Sequence, residues 1–135
     1  MLAARIFFGI ACLYTFLITW LSLTQLGKIS LGDFNPTDKM MHAAAYFILG
    51  LVWMFYILIK KPQDFNFNRV VFYISLAVIA FGMLIEVLQG TLTEYRTPDW
   101  ADILANTIGV LIALGFWFLF QKFLLRLKLK INSIL

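Results

Sequence analysis

Ionisable and amide side chains recur at helical spacing in three stretches of the sequence. Within each stretch the polar positions are three or four residues apart, so their side chains lie on one face of an α-helix. A carboxylate or an imidazole on such a face can accept and return a proton, and can hold a polar ligand by hydrogen bonds. The three stripes are Asp38, His42 and Tyr46, then Glu86 and Gln89, and finally Asp99, Asp102 and Asn106.

The rest of the chain is strongly apolar. Hydrophobic residues make up 62% of its 135 positions and charged residues only 13%, whereas an ordinary soluble domain is roughly half apolar and about a quarter charged. Such a chain cannot cover its own surface with polar groups, and disorder requires low hydrophobicity. The composition therefore excludes a soluble enzyme and a disordered protein, and it predicts a small integral membrane protein.

Four apolar stretches are long enough to cross a bilayer, which takes about 20 residues of α-helix. They cover about 6–26, 39–59, 70–89 and 100–125, and short connections rich in turn-forming residues separate them. This pattern predicts a single all-α domain, a four-helix transmembrane bundle with up-down topology. The basic segment 126–135 is expected to form a cytoplasmic tail on the anionic leaflet surface.

The distribution of charge predicts the orientation of the bundle. Eight of the eleven basic residues fall at the N-terminus, in the 60–69 connection or at the C-terminal end. The positive-inside rule then places both termini in the cytoplasm of a multi-pass protein of the bacterial inner membrane. Because these basic residues only border the apolar stretches, we predict membrane lipids as partners and no nucleic acid.

The acidic residues are distributed in the opposite way. Six of the seven carboxylates, together with His42, lie toward the predicted outer face. A charge in hydrocarbon costs at least about 2.5 kcal/mol, so the three polar stripes should face one another rather than lipid. The sequence thus predicts an extracytoplasmic-facing polar pocket between the second, third and fourth helices. Arg96 is the expected counter-ion of its carboxylates.

A purely structural interpretation of the same residues stays open. Thr97 as N-cap and Pro98 in the first helical turn would account for Asp99 as a helix-start residue, and Arg96 could join the acids in an interhelical salt network. Glu86 is the hardest to explain in this way, since it lies a turn inside the membrane boundary where no cap is needed.

Metal binding is not predicted, and neither is any cofactor. A single histidine is poor provision for zinc, and Arg96 among the acids argues against a hard cation. Gly109 and Ala113 are four residues apart, a spacing that permits close helix packing within the chain or in a homo-oligomer.

Taken in order, the polar motifs DKMMHAAAYFILG, EVLQG and RTPDWADILANTIG resemble the VanZ-like family of small bacterial membrane proteins. The resemblance runs from about Asp38 to Ala113, and the first helix has no matching motif. At Ala113 the family often has a second glycine. The resemblance implies a polytopic inner-membrane protein, in a family whose named member is associated with resistance to teicoplanin. The matched positions are Asp38, Lys39, His42, Tyr46, Glu86, Gln89, Arg96, Asp99, Asp102, Asn106 and Gly109.

The leading hypothesis is a pocket that binds or chemically modifies an envelope lipid or lipid-linked cell-wall precursor. In an enzyme, Glu86 would act as general base, and His42 would carry a proton or bind the substrate. Arg96 would hold an anionic head group. The substrate-binding set is Asp38, Tyr46, Gln89, Arg96, Asp99, Asp102 and Asn106.

Two alternatives differ from this hypothesis. One is a non-catalytic membrane accessory or binding protein whose polar residues form a structural network. The other is an ion or proton pathway, which needs polar groups through the full depth of the membrane. The inner half of every apolar stretch lacks them, so an ion pathway is not expected.

Overall fold

The computed structural model describes residues 2–24, 37–94 and 98–134. Within these ranges the chain forms four helices and no strand: α1 (Leu2–Leu23), α2 (Asp38–Lys60), α3 (Phe67–Leu92) and α4 (Trp100–Ile134). Each helix is long and apolar enough to cross a membrane. The predicted all-α fold with four membrane-length helices is confirmed, while the up-down order and the cytoplasmic termini stay predictions.

Side-chain caps set the starts of the helices that follow a connection. The Thr37 hydroxyl accepts from the backbone N–H of Met40 at the start of α2, and the Asn66 side chain accepts from that of Arg69 at the start of α3. Each cap satisfies a backbone donor that has no partner within the helix.

The start of α4 differs from the prediction. Thr97, the expected N-cap, lies outside the described residues, and Pro98 precedes the helix instead of occupying its first turn. Asp99 takes the capping position, because its Oδ1 accepts a 2.9 Å hydrogen bond from the backbone N–H of Ala101.

Helices α2 and α4 approach each other closely where both carry small residues. A Cβ at Gly109 would overlap the backbone carbonyl of Ala43, and a Cβ at Gly50 would lie 3.1 Å from that of Ala113. The small residues at 109 and 113 therefore pack within the chain, as their spacing permits. This contact brings the polar faces of α2 and α4 together.

Helix α4 is longer than predicted. It continues without a break to Ile134, so its 35 residues span about 52 Å, well beyond the roughly 30 Å hydrocarbon layer. The segment after residue 125 is thus part of the same helix, and Lys128 within it is buried. The predicted contact of this segment with a leaflet surface stays a prediction.

Candidate functional site

Polar side chains from α2, α3 and α4 meet in one group, which we call the polar cluster. It contains all the described residues that the sequence predicted for a site, together with one lysine that it did not. Arg96, the predicted counter-ion, lies outside the described residues. The members are Asp38, Lys39, His42, Tyr46, Glu86, Gln89, Asp99, Asp102 and Asn106.

Lys39 joins the first turns of α2 and α4. Its ammonium group forms an ion pair with Asp99 at 2.5 Å and a second ion pair with Asp102. The Asp102 side chain is only 3% exposed and that of Asp99 is 42% exposed. A buried carboxylate is costly without a compensating charge. The ion pair with Asp102 therefore contributes more to stability than the ion pair with Asp99.

The imidazole of His42 is held between α2 and α4. Its Nδ1 donates to Asn106 Oδ1 at 3.1 Å, since that oxygen can only accept. The other ring nitrogen, Nε2, faces Asp102 at 3.6 Å and Asp38 at 3.9 Å. Both distances exceed those of a hydrogen bond. The ring is oriented so that a second proton at Nε2 would meet two carboxylates, which suits a proton carrier.

The same three side chains could supply ligands to a metal ion. One ligand atom each from Asp38, His42 and Asp102 lie within 4.8 Å of one another, and Asn106 orients the ring as partners of metal-bound histidines do. However, the ammonium of Lys39 already neutralises Asp102. The charge of Asp102 is therefore balanced without a metal ion.

Glu86 is almost completely buried, with 2% of its surface exposed. Its Oε1 accepts a 2.8 Å hydrogen bond from the backbone N–H of Asp99, while Oε2 has no partner among the described residues. Gly90 makes this contact feasible, because a Cβ there would overlap the ring of Pro98. The glycine lets the residues before α4 lie directly against α3, which delivers the Asp99 N–H to Glu86.

Gln89 and Tyr46 complete the buried part of the cluster. The Gln89 Nε2 donates to the backbone carbonyl of Ser22 in α1 at 2.7 Å, whereas its Oε1 has no partner in the described part of the chain. The Tyr46 hydroxyl also has none there. Its ring lies against Gly82, where a Cβ would be 2.9 Å from Cε1.

Two of these three atoms belong to one face of α3, and the third belongs to the Tyr46 ring, which lies against that face at Gly82. Gly82, Glu86 and Gln89 are separated by four and three residues, which places them on one face. Tyr46 lies close enough to Glu86 for an electrostatic interaction between them. Two acceptor oxygens and one hydroxyl thus line one buried face without partners in the described chain.

Sequence reasoning included Lys39 only as a position matched to the family, and it missed the ion pairs of Lys39 and the two glycines that shape the site. Lys39 lies at the predicted membrane boundary, where a lysine usually serves topology. The available signal was its position one turn before a histidine, in a half of the chain rich in acids. Gly82 and Gly90 gave no signal that distinguishes them from other helical glycines.

Four membrane-length helices with a polar cluster between three of them define a multi-pass membrane protein. The family model VanZ/LLP1 matches residues 6–121 of the chain. The protein therefore belongs to the VanZ/LLP1 family, which confirms the resemblance seen in the polar motifs. No curated protein and no solved structure matches the chain.

Proposed function

We propose that this VanZ/LLP1-family protein binds, through its polar cluster, the polar head group of an envelope lipid or lipid-linked cell-wall precursor. The observation that carries the proposal is a set of three buried atoms that have no hydrogen-bond partner among the described residues, namely Tyr46 Oη, Glu86 Oε2 and Gln89 Oε1. A buried polar atom left without a hydrogen bond costs about 1–3 kcal/mol. A site that keeps three of them together is better suited to a polar ligand than to stability.

The depth of the cluster supports a lipid head group as that ligand. Glu86 lies six residues before the end of α3 at Leu92, a distance of about 9 Å along the helix axis. The head-group layer on each side of the hydrocarbon is roughly 5–8 Å thick. A head group that settles a few ångströms deeper than its neighbours would reach Glu86. The distribution of charged residues favours the extracytoplasmic side for this end of the bundle.

The same geometry suggests how the bound group could be modified. Glu86 Oε2 is available to remove a proton from a hydroxyl or ammonium group, as a general base does. His42 is oriented by Asn106 with its Nε2 toward two carboxylates, and could receive or return a proton during the reaction. Teicoplanin tolerance would follow from this activity only if the ligand is a cell-wall precursor.

A second candidate function is a non-catalytic accessory protein whose polar cluster only joins helices. The contacts that favour it are the two ion pairs of Lys39 and the capping of α4 by Asp99. It does not account for Glu86 Oε2 or Gln89 Oε1, which contribute no hydrogen bond between described residues.

Lipid retention during purification tests the proposal. The wild-type protein and the variants Glu86→Gln and Glu94→Gln would be extracted in mild detergent and analysed by native mass spectrometry. We expect wild type to carry a co-purified lipid that Glu86→Gln has lost. Glu94 is exposed, so Glu94→Gln is a charge-matched control that should retain it.

Circular dichroism and thermal unfolding of the same samples separate the two candidate functions. Loss of the lipid with unchanged helicity supports the binding site. Parallel loss of lipid and of folded Glu86→Gln protein would favour the structural network, and full retention of the lipid by Glu86→Gln would contradict the proposed site.

A further inference from the structure

We infer that the ligand group bound beside Glu86 is a primary ammonium, as in a phosphatidylethanolamine head group. The juxtaposition that carries this inference is a set of three buried atoms without partners among the described residues. Glu86 Oε2 and Gln89 Oε1 belong to one face of α3, and Tyr46 Oη belongs to the ring that lies against that face at Gly82. The inference rests on the proposed function, and it adds the chemical class of the group that the site recognises.

The hydrogen-bonding capacity of the three atoms matches an ammonium. The Nε2 of Gln89 donates to the backbone carbonyl oxygen of Ser22, which can only accept, so the amide oxygen Oε1 is the atom left over. Carboxylate and amide oxygens only accept, and a tyrosine hydroxyl also accepts. A primary ammonium has three N–H donors and no acceptor. Each of these donors can therefore be matched with one of the three oxygen atoms of the site.

The charge of Glu86 favours a cation over a neutral hydroxyl. Within the described residues no lysine, arginine or histidine forms an ion pair with Glu86. The ion pairs of this region join Lys39 to Asp99 and Asp102, and the His42 ring faces Asp38 and Asp102. A buried carboxylate without a countercharge is strongly disfavoured. An ammonium ligand supplies that countercharge, and a sugar or glycerol hydroxyl does not.

The surroundings fix the three atoms in place. Glu86 Oε1 is held by the Asp99 backbone N–H, and Gln89 is held through Ser22. The Tyr46 ring is buried against Gly82. Each side chain is therefore held in place at one point and keeps one polar atom available for a ligand. A preorganised binding site has this property.

Binding of defined lipids tests the inference. The purified, delipidated protein would be titrated with phosphatidylethanolamine, phosphatidylcholine and phosphatidylglycerol of identical acyl chains, with retention measured by native mass spectrometry. Phosphatidylcholine has the positive charge without N–H donors, and phosphatidylglycerol has hydroxyl donors without the positive charge. We expect phosphatidylethanolamine to bind roughly tenfold more tightly than either, equivalent to one charge-assisted hydrogen bond.

Two variants connect this preference to the site. Glu86→Gln should abolish the preference for phosphatidylethanolamine, while Glu94→Gln should keep it. Tyr46→Phe removes only the hydroxyl and should reduce the preference by a few-fold. It provides a second readout if Glu86→Gln folds poorly.

The outcomes separate this inference from the proposed function. Equal binding of the three lipids, or a preference for phosphatidylglycerol, would overturn the ammonium and leave lipid binding in place. If none of the three lipids binds, the phosphatidylethanolamine head group is overturned, and the presence or absence of a co-purified lipid on the wild-type protein then decides the proposed function. Free ethanolamine titrated in parallel tests the source of the ammonium. Tighter binding of the free amine than of the lipid would keep the ammonium and overturn a lipid as its carrier.

Discussion

The two ends of the helix bundle differ in how completely their buried polar groups are hydrogen-bonded. At the end opposite the polar cluster, Asn68 Oδ1 accepts hydrogen bonds from Trp117 Nε1 at 3.2 Å and from Gln121 Nε2 at 2.8 Å. The ammonium of Lys128 is bonded to the backbone carbonyl of Lys61 and lies 5.0 Å from the centroid of the Phe67 ring. We call this region the basic end.

In the described residues, all the buried side-chain nitrogen and oxygen atoms that lack a hydrogen-bond partner belong to the polar cluster. The basic end thus satisfies its polar groups with other parts of the same chain, whereas the polar cluster has two acceptor oxygens and one hydroxyl without partners among the described residues. A region that serves only to hold helices together is expected to resemble the basic end. The difference supports a structural role for the basic end and is consistent with the ligand-binding role that we propose for the polar cluster.

The largest expected effect on stability comes from the basic end. Trp117 is buried in the cluster formed by Met54, Phe67 and Val71 among others. Trp117→Ala should destabilise the fold by about 3 kcal/mol, near the low end for buried aromatic residues, because the unfolded helix meets lipid rather than water. Unfolding in mixed micelles measures it. Phe123→Ala, at a side chain that is largely exposed, is the matched control and should change stability by less than about 0.5 kcal/mol.

A loss at Trp117 no larger than that at Phe123 would contradict the structural role of the basic end. It would mean that the contacts between α3 and α4 in this region do not contribute to the free energy of unfolding.

Within the polar cluster, the ion pair of Lys39 with the buried Asp102 should contribute more to stability than its ion pair with the exposed Asp99. A double-mutant cycle with Lys39→Met and Asp102→Asn should give a coupling of about 2 kcal/mol, since this charge-assisted bond ends on a buried carboxylate. The cycle with Lys39→Met and Asp99→Asn should give less than about 1 kcal/mol, as exposed ion pairs do. Equal couplings would show that burial of Asp102 does not strengthen its bond to Lys39.

A smaller effect is expected from a single hydrogen-bond acceptor at the basic end. Asn68→Leu leaves the Trp117 and Gln121 donors without their acceptor, so it should cost about 1 kcal/mol in the free energy of unfolding. Asn68→Asp keeps an acceptor in the first turn of α3, where a negative charge is favourable, and should retain most of the stability. If Asn68→Leu proves neutral, the comparison between the two ends loses part of its basis.

Much of this architecture could be predicted from the sequence for a simple physical reason. Apolar runs of about 20 residues define membrane-length helices, and the cost of exposing Glu86 or Asp102 to hydrocarbon forces them toward other helices. Helical periodicity then places each carboxylate on the same face as its polar neighbours. Both steps depend only on residue type and spacing.

The remaining features depend on contacts between distant residues. The ion pairs of Lys39 require the register of α2 against α4, which the close approach at Gly109 sets. The oxygens of Glu86 and Gln89 that have no partner in ranges 2–24, 37–94 and 98–134 depend on side-chain rotamers and on the carbonyl of Ser22. Spacing within one helix contains none of this information.

The C-terminal part of α4 shows a different limit of sequence reasoning. Alternating leucines and basic residues after residue 125 predict a basic tail at the leaflet surface, but they do not show that α4 continues through this segment, as it does in the structure. Lys128 is accommodated in a buried position because its aliphatic stem packs beside Phe67 while its ammonium reaches a backbone carbonyl. Residue type alone does not show that such a partner is within reach.

The smallest expected effect on stability belongs to the residue that carries the proposed function. Glu86→Gln preserves the Oε1 acceptor for the Asp99 N–H and removes a buried charge that has no described countercharge. We therefore expect the free energy of unfolding to change by less than about 0.5 kcal/mol, or to rise slightly, in delipidated protein. Destabilisation by 2 kcal/mol or more, of the order of breaking a buried ion pair, would mean that Glu86 supports the fold as Trp117 does, and the distinction between a binding end and a structural end would no longer hold.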